Sequence, residues 1–321
     1  MPTFTITTTG DEVAAAFAQE IKGKNVLITG TSINGLGFEV AKTLAKYANL
    51  VIITGHNNER LKLSEEALKK DVSGANIRPL LLNLSSFDAV RKAAAEVNAY
   101  SEQIDILINN AASSLCSFKL SADGYEHQIA TDHLGPFLFT ALILPKILAA
   151  KSATSTPRVV FVASGAHAWS SGVNLDEIEH PNQSTYKGMT AYAQAKSANI
   201  LTASELNRRA GGKIYAYSLS PGAVATNFVS NEEAYPELLA HGVITEDGKP
   251  NPNAPFPWKT LQQGAATIIV AASDPSLNEK PGCFLSNSVE NNAGVAPHTS
   301  DPVTAQKLWE LSERLTGVKF F

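Results

Sequence analysis

A serine, a tyrosine and a lysine stand where they can act together on a proton. Tyr192 and Lys196 are four residues apart in the segment AYAQAK, so both lie on one side of a predicted helix. A phenol has a pKa of about 10, and a nearby ammonium lowers it by stabilising the phenolate. Ser164 follows a predicted strand upstream, and its hydroxyl can donate a hydrogen bond to a developing alkoxide. This set predicts acid/base catalysis at a substrate oxygen.

A glycine-rich turn separates the first predicted strand from the first predicted helix. It reads TGTSINGLG over Thr29–Gly37. Glycines there permit a tight turn and let backbone N–H groups approach a pyrophosphate, which the following helix N-terminus attracts. We therefore expect this turn to bind a dinucleotide, through Gly30, Ser32, Asn34, Gly35, Leu36 and Gly37.

The second predicted strand ends without an acidic residue. Gly55 stands where a carboxylate would bind the ribose 2′-hydroxyl of NAD, and His56, Asn57 and Arg60 follow it. A 2′-phosphate would meet no fixed negative charge here and could meet a partial or full positive charge. The sequence therefore favours NADP(H) over NAD(H) as the cofactor, and with it hydride transfer to or from a substrate.

Apolar runs and helical patterns alternate along the chain. The predicted strands are Asn25–Thr29, Leu50–Gly55, Ile77–Asn83, Ile104–Asn109, Arg158–Ser164 and Ile214–Ser220. The predicted helices are Phe38–Tyr47, Glu59–Lys70, Phe87–Glu102, Ala122–Ala150, Thr190–Ala210, Thr260–Ala272 and Pro302–Thr316. Continuous apolar strands alternating with helices predict an α/β fold of the Rossmann type, a doubly wound parallel sheet with helices on both faces. The carboxyl ends of such strands line a ligand crevice.

Composition fits one domain over residues 1–321, with an N-terminal extension over 1–23 and a C-terminal tail with a helix over 287–321. With 44% apolar residues, 17% charged residues and a net charge of −4, the chain is not a disordered protein and gives no reason to expect nucleic acid as a partner. Cys116 and Cys283 lack metal-ligand spacing, so we expect no metal and a reducing compartment. No signal peptide or membrane anchor is visible, which favours the cytoplasm. A homo-oligomer is left open.

Several motifs resemble the short-chain dehydrogenase/reductase family, and the match runs from about Lys24 to Ser286. The glycine turn resembles TGxxxGxG with one inserted residue, and Asn109–Ala112 resembles NNAG. Four further motifs resemble the retinol-dehydrogenase-like branch: VASGAH at Val162–His167, AYAQAKSAN at Ala191–Asn199, SPGAVAT at Ser220–Thr226 and QGAAT at Gln263–Thr267. Because residues 1–24 carry no apolar anchor, the chain resembles a soluble, fungal-type member of that branch.

The resemblance implies an NADP(H)-dependent oxidoreductase that interconverts an alcohol and a ketone or aldehyde. It assigns the acid/base role to Tyr192 and the orientation of the substrate oxygen to Ser164. Lys196 would lower the pKa of Tyr192 and bind the nicotinamide ribose. The further cofactor contacts that it implies are Asn83, Leu84, Asn110, Ala111, Pro221, Gly222, Val224 and Thr226.

Asp132 stands where the family has a catalytic asparagine, since NHLG reads DHLG here. In the family, the backbone carbonyl of that residue holds a water that links the lysine to solvent. Pro136 has no N–H, so the carbonyl of Asp132 lacks its helical partner and can still take a water. We therefore keep Asp132 as a catalytic candidate. The alternative is a helix kink without catalytic consequence.

Two long loops, Gly165–Gly188 and Val224–Trp258, interrupt the alternation. We expect residues 224–258, with five prolines, to form a substrate lid, and a tolerated surface insertion is the alternative. The candidate substrate contacts are bulky or aromatic and predict a carbonyl reductase with a bulky apolar substrate: Leu115, His167, Trp169, Tyr186, Phe228 and Trp258.

Two other classes of function stay open. One is a non-redox enzyme on the same fold, such as an epimerase, dehydratase or cyclase, and Asp132 keeps this class open. The other is a cofactor-sensing binding protein without turnover. Retention of Ser164, Tyr192 and Lys196 argues against both. Oxidation of NADPH by a panel of aldehydes and ketones separates them.

Overall fold

The computed structural model describes residues 2–321 and contains ten strands. They are β1 (Asn25–Ile28), β2 (Leu50–Gly55), β3 (Ile77–Leu81), β4 (Ile106–Asn109), β5 (Arg158–Val162), β6 (Tyr215–Ser220), β7 (Ala223–Val224), β8 (Trp258–Lys259), β9 (Phe284–Ser286) and β10 (Val289–Glu290). Eight of them form one sheet in the order β10-β9-β6-β5-β4-β1-β2-β3, and β7 pairs with β8. All neighbours in the large sheet are parallel except β9 and β10. The predicted doubly wound parallel sheet is confirmed.

Thirteen α-helices within residues 2–321 connect and cover the strands. They are α1 (Gly10–Ala16), α2 (Ala18–Ile21), α3 (Leu36–Leu44), α4 (Asn58–Asp71), α5 (Phe87–Ala99), α6 (His127–Ile129), α7 (Gly135–Leu142), α8 (Leu144–Leu148), α9 (Leu175–Glu179), α10 (Gly188–Ala210), α11 (Tyr235–Ala240), α12 (Leu261–Ser273) and α13 (Pro302–Thr316). Most predicted bounds lie within a few residues of these.

Alternate residues of the central strands face two apolar layers, as the period of two in a strand requires. Leu27 and Leu107 pack with helices α5, α7, α10 and α13. Val26, Ile28 and Ile106 pack with helices α1, α3, α4 and α12 on the other face. Burial on both faces explains why these strands are continuously apolar.

The sheet edges are the least regular part of the fold. β3 is an edge strand, so it is only partly buried, and Leu81 is 52% exposed. At the other edge, β9 has three residues, too few to stand out in the sequence, and it extends the sheet beyond β6. The sequence predicted neither β9 nor β10.

The predicted helix Ala122–Ala150 is wrong as a single element, because the structure divides it. α6 runs into a π-helical turn at Ala130–Leu134, which is followed by α7 and α8. Pro136 and Pro145 supply no backbone N–H at the starts of α7 and α8, so a regular hydrogen-bond ladder cannot pass through them.

Both long loops contain secondary structure. The segment Gly165–Gly188 holds a 3₁₀ turn at Gly165–Trp169 and helix α9. Residues 224–258, which we call the lid, hold helix α11, whose Leu238 packs against Met189 and Leu115 in a small apolar cluster. Pairing of β7 with β8 ties the two ends of the lid together.

The N-terminal extension is part of the helical layer. Thr9 caps α1 in a capping box with Glu12, and Val13 is fully buried. α1 packs on α12 so closely that a Cβ at Gly10 would lie 2.9 Å from the side chain of Ile269. Among residues 2–321, none of the helices is long and apolar enough to cross a membrane.

Candidate active site

A cleft of about 640 Å³ opens at the carboxyl ends of the parallel strands. It lies beside β1, where the order of the strands reverses: β2 and β3 follow on one side of β1, and β4, β5 and β6 follow on the other. Open α/β sheets bind ligands at such a switch point, and the volume is ordinary for a ligand site. The residues that follow five of the strands line it, namely Gly30, His56, Asn110, Ser164 and Pro221.

The glycine turn forms one wall of this cleft. Gly30 has a φ of +71°, and a Cβ at Gly37 would lie 2.3 Å from the carbonyl oxygen of Gly30, so neither position tolerates a side chain. The amide of Asn110 donates to the carbonyls of Thr29 and Gly30 at 2.9 and 3.0 Å and fixes the turn to β4.

The inserted residue changes the role expected of Asn34. Gly30, Ser32, Gly35 and Leu36 line the cleft, where they can contact a dinucleotide. The structure does not bring Asn34 to the lining: it is exposed on the outer turn with a φ of +63°, a left-handed conformation that asparagine tolerates.

The end of β2 borders a second, smaller hollow. His56, Asn57 and Arg60 line it together with Ser32 and Gly55. The Asn57 side chain accepts the backbone N–H of Arg60 at 2.9 Å, so Asn57 caps helix α4 and points the positive end of its dipole at this hollow. Asn83, Leu84 and Ala111 line the adjoining part of the main cleft.

Ser164, Tyr192 and Lys196 converge at the centre of the cleft. Lys196 Nζ lies 5.2 Å from the centroid of the Tyr192 ring. Burial raises the pKa of the Tyr192 phenol above its ordinary value; the charge of Lys196 and a hydrogen bond with Ser164 oppose this rise, and the charge of Asp132 adds to it. The Ser164 Oγ also accepts the N–H of Ala166 at 3.1 Å, which fixes the hydroxyl at the start of the 3₁₀ turn.

The side chain of Asp132 binds Lys196 directly, which sequence reasoning did not foresee. Asp132 Oδ2 lies 2.9 Å from Lys196 Nζ, and the Asp132 and Lys196 side chains are 0% and 2% exposed. The backbone N–H of Ser113 donates to Asp132 Oδ1 at 2.6 Å. Burial lowers the pKa of Lys196, but the carboxylate of Asp132 outweighs this and holds it above its ordinary value, so the ammonium stays charged. Burial in turn raises the pKa of Asp132.

The segment after β6 closes the floor of the cleft. Pro221, Gly222, Val224 and Thr226 all line it, and their contacts with a cofactor stay a prediction. Ser220 Oγ accepts the N–H of Gly165 at 3.0 Å, and this bond holds the loop after β5 beside the loop after β6.

Three of the six candidate substrate residues line the cleft: Trp169, Phe228 and Trp258. Sequence reasoning missed further lining residues, Met189, Leu238, Val243 and Lys259. Met189 could have been found, because it lies one helical turn before Tyr192 on the same face of α10. The others depend on how the lid folds back.

The structure does not bring Leu115, His167 and Tyr186 to the cleft. Leu115 is buried beneath the lid. His167 is buried between Ser164, whose carbonyl it contacts through Nδ1 at 2.7 Å, and the N–H of Ala296. Burial lowers the pKa of His167, so it serves as a neutral structural residue.

Tyr186 turns its hydroxyl away from the cleft. The hydroxyl donates to the carbonyl of Cys116 at 3.0 Å and accepts from the Gln128 amide at 2.9 Å. Both bonds are structural, so Tyr186 is not expected to contact a substrate.

Comparison with known proteins identifies the family. Residues 24–174 match the family described as short chain dehydrogenase. The chain is 33% identical over 305 residues to the short-chain dehydrogenase/reductase prx1 of Penicillium rubens. The match covers 92% of this chain and 85% of that protein. This chain belongs to the short-chain dehydrogenase/reductase family.

One further relative refines the position of this short-chain dehydrogenase/reductase, and one solved structure shares its fold. It is 28% identical over 304 residues to human retinol dehydrogenase 13, covering 93% of this chain and 86% of that one. With prx1, this supports the retinol-dehydrogenase-like branch and a fungal-type member. A short-chain dehydrogenase from Escherichia coli, solved in complex with NADPH, has the same fold at a TM-score of 0.61 and 18% identity, covering 84% of this chain and 99% of that one.

The aspartate distinguishes this short-chain dehydrogenase/reductase from the family pattern. An asparagine at position 132 would be neutral, whereas Asp132 places a carboxylate against the ammonium of Lys196. The pair therefore carries no net charge when both groups are ionised. The cytoplasmic location expected from the sequence stays a prediction.

Proposed function

We propose that this protein is an NADP(H)-dependent alcohol dehydrogenase or carbonyl reductase that acts on a bulky apolar ketone, aldehyde or alcohol. One observation carries the proposal: Ser164, Tyr192 and Lys196 line the same cleft as the glycine turn and the end of β6. A proton-transfer set in the same cleft as a glycine turn that can bind a dinucleotide is the arrangement that hydride transfer requires.

The residues present fit a dinucleotide. Gly35 is the N-cap of α3 and supplies no side-chain cap, so the N–H groups of the first turn are free for a pyrophosphate. The close approach of Gly30 and Gly37 keeps side chains out of that space. The cofactor, when bound, supplies or accepts the hydride.

The hollow at the end of β2 supports NADP(H). His56 and Arg60 line it, helix α4 directs its N-terminus toward it, and no carboxylate lines it among the described residues. These are the groups that attract a 2′-phosphate. The fold neighbour solved with NADPH agrees with this assignment.

Tyr192 is the residue that transfers the proton. In reduction, its hydroxyl donates the proton to the substrate carbonyl oxygen, and the phenolate that forms is stabilised by the Lys196 ammonium. Ser164 donates a hydrogen bond to the same oxygen and keeps it in place. Oxidation of an alcohol reverses these steps and requires the phenolate at the start.

The lid sets the substrate class. Phe228, Leu238, Val243, Phe256 and Trp258 present an apolar wall to the Tyr192 end of the cleft. Such a wall excludes water during hydride transfer and favours apolar substrates. Consumption of NADPH by bulky apolar aldehydes or ketones tests the proposal; a purified protein that binds NADPH but turns over no carbonyl or alcohol in the panel would contradict it.

Replacing Gly55 by aspartate is expected to reverse the cofactor preference. A Cβ at this position meets only ordinary contacts with Leu61 at 3.6 Å, so the side chain fits. Its carboxylate would accept the 2′-hydroxyl of NADH and repel the 2′-phosphate of NADPH. We expect wild type to bind NADPH about tenfold more tightly than NADH, a difference of about 1.4 kcal/mol, and G55D to prefer NADH. Fluorescence titration at physiological salt measures both.

Gln103→Glu is the control for the added charge, since Gln103 is exposed and far from the cleft. It should leave both affinities unchanged. Equal affinities of wild type for the two cofactors would refute the preference.

Glu237 is expected to hold the lid. Its carboxylate accepts the N–H of Gly188 at 3.0 Å and of Met189 at 2.6 Å, so it caps α10 from the lid helix α11. Glu237→Ala removes two charge-assisted bonds. We expect the KM for the carbonyl substrate to rise about fivefold, because a loosened lid loses apolar contacts with the substrate, while the dissociation constant of NADPH stays the same.

Steady-state kinetics with saturating NADPH provide the KM. Glu233→Ala is the control, because Glu233 lies in the same lid, is exposed and pairs only with Lys119 at 3.5 Å. An unchanged KM in Glu237→Ala would mean that the lid is surface decoration.

A further inference from the structure

Lys259 is a buried cation at the edge of the cleft that no motif assigns. It follows the lid directly, as the last residue of β8, and precedes Thr260, the N-cap of α12. Only 7% of Lys259 is exposed, and it lines the cleft. Its ammonium lies over Gly222, where an added Cβ would be 3.1 Å from Nζ.

The ammonium has no partner within residues 2–321. No carboxylate lies within 4.0 Å of Nζ, and no hydrogen bond from Nζ is formed. Burial lowers the pKa of Lys259, and no acidic neighbour opposes this. The other lysine buried at the cleft, Lys196, is paired with Asp132. Since a charge that is largely removed from water is costly unless it is paired, and since Nζ reaches the cleft, the surroundings of Lys259 favour an anion there.

The position of Lys259 indicates which anion this is. Gly264, one turn into α12, is so close to Leu36 and Val224 that a Cβ there would lie 2.7 and 2.6 Å from their side chains. Leu36 begins α3, whose free N–H groups face a pyrophosphate, and Val224 follows Gly222 on the cleft floor. Lys259 thus lies over Gly222 on the cleft floor, and the helix that follows it packs against Leu36 at the start of α3. The wall at the substrate end is apolar, which argues against a substrate carboxylate as the partner.

We propose that Lys259 binds the pyrophosphate of the dinucleotide, at the phosphate on the nicotinamide side. This inference rests on the proposed function. Because Lys259 adjoins the lid and β8 pairs with β7, the bound phosphate also fixes the end of the lid over the cleft.

Lys259→Met tests the assignment, with three ligands that share the 2′-phosphate. NADPH and 2′-phospho-ADP-ribose contain the phosphate on the nicotinamide side, and 2′,5′-ADP lacks it. We expect the variant to bind the first two ligands about tenfold or more weakly, because a charge-assisted hydrogen bond is lost. Its affinity for 2′,5′-ADP should fall by less than about twofold. Isothermal titration calorimetry measures all three.

Lys249→Met is the matched control. Lys249 is a lid lysine whose side chain is 77% exposed and paired with Asp247 at 2.7 Å. It should leave all three affinities at their wild-type values. Thermal unfolding without ligand is the second readout: Lys259→Met should melt no lower than wild type, because an unpaired buried cation has been removed.

Unchanged affinities in Lys259→Met, or an equal loss for all three ligands, would overturn the assignment. A variant that melts well below wild type without ligand would also overturn it, because Lys259 would then stabilise the protein itself. Wild type that binds none of the three ligands would instead refute the proposed function. The two failures are therefore distinguishable.

Discussion

Replacing Tyr192 by phenylalanine is expected to lower kcat at least about a hundredfold while the dissociation constant of NADPH changes by less than about twofold. The phenol is proposed to transfer the proton only as the hydride moves, so its loss removes a group that acts in the transition state. The ring remains and keeps its packing against Phe228. Steady-state kinetics at saturating substrate and an NADPH titration on the same preparation measure the two quantities.

Tyr186→Phe is the matched control, because it removes a half-buried tyrosine hydroxyl with two hydrogen bonds away from the cleft. That variant should lose stability and retain turnover. If Tyr192→Phe keeps more than about a tenth of the wild-type rate, another group donates the proton.

Asp132→Asn is expected to shift the pH dependence of alcohol oxidation toward acid. Oxidation needs the phenolate of Tyr192, so its rate rises with pH through the pKa of that group. The negative charge of Asp132 raises this pKa, and its removal leaves the charge of Lys196 unopposed. The pKa of Tyr192 should therefore fall, and the rate of oxidation below the wild-type pKa should rise about tenfold.

The same variant should be less stable than wild type, although its rate of oxidation at low pH rises. Lys196 would be a buried cation without a carboxylate partner, so the free energy of unfolding should fall by about 3 kcal/mol. The pH profile of kcat and chemical denaturation measure the two effects.

Asp105→Asn separates electrostatics from structure. Asp105 is also buried and pairs with Lys24 at 3.5 Å. It lies at the amino ends of the strands, whereas the cleft lies at their carboxyl ends. It should lose stability and leave the pH profile in place. An unshifted profile in Asp132→Asn would mean that Asp132 acts only as a structural partner of Lys196.

Much of this protein could be predicted from the sequence, because its signals are local. The buried strands are short apolar runs, and the glycine turn and the Tyr192–Lys196 spacing depend on neighbouring residues alone. The polar ends of those strands then meet at one edge of a parallel sheet as a matter of topology. For the same reason the sequence predicted a cleft that Ser164, Tyr192 and Lys196 share.

The rest depended on contacts between distant segments. His167 and Tyr186 looked like pocket aromatics, but their polar atoms bond to Ala296 and Cys116, which no local pattern connects to them. No local pattern marks Lys259, because its burial beside Gly222 depends on the pairing of β8 with β7. The ion pair of Asp132 and Lys196 was hidden for a similar reason, since it joins two separate helical segments.

The π turn at Ala130–Leu134 places one extra residue between α6 and α7, which otherwise follow one another without a break. One residue of an α-helix turns by about 100°, so the extra residue rotates the face before it relative to the face after it. Before and within the turn, Gln128 and Asp132 point at α10, where they bond to Gly188 and Lys196. After it, Phe137 points at Trp309 of α13. The helical segment thus contacts two different neighbours, α10 before the turn and α13 after it. Deleting a single residue from the turn would rotate Asp132 away from Lys196, although the sequence composition would hardly change.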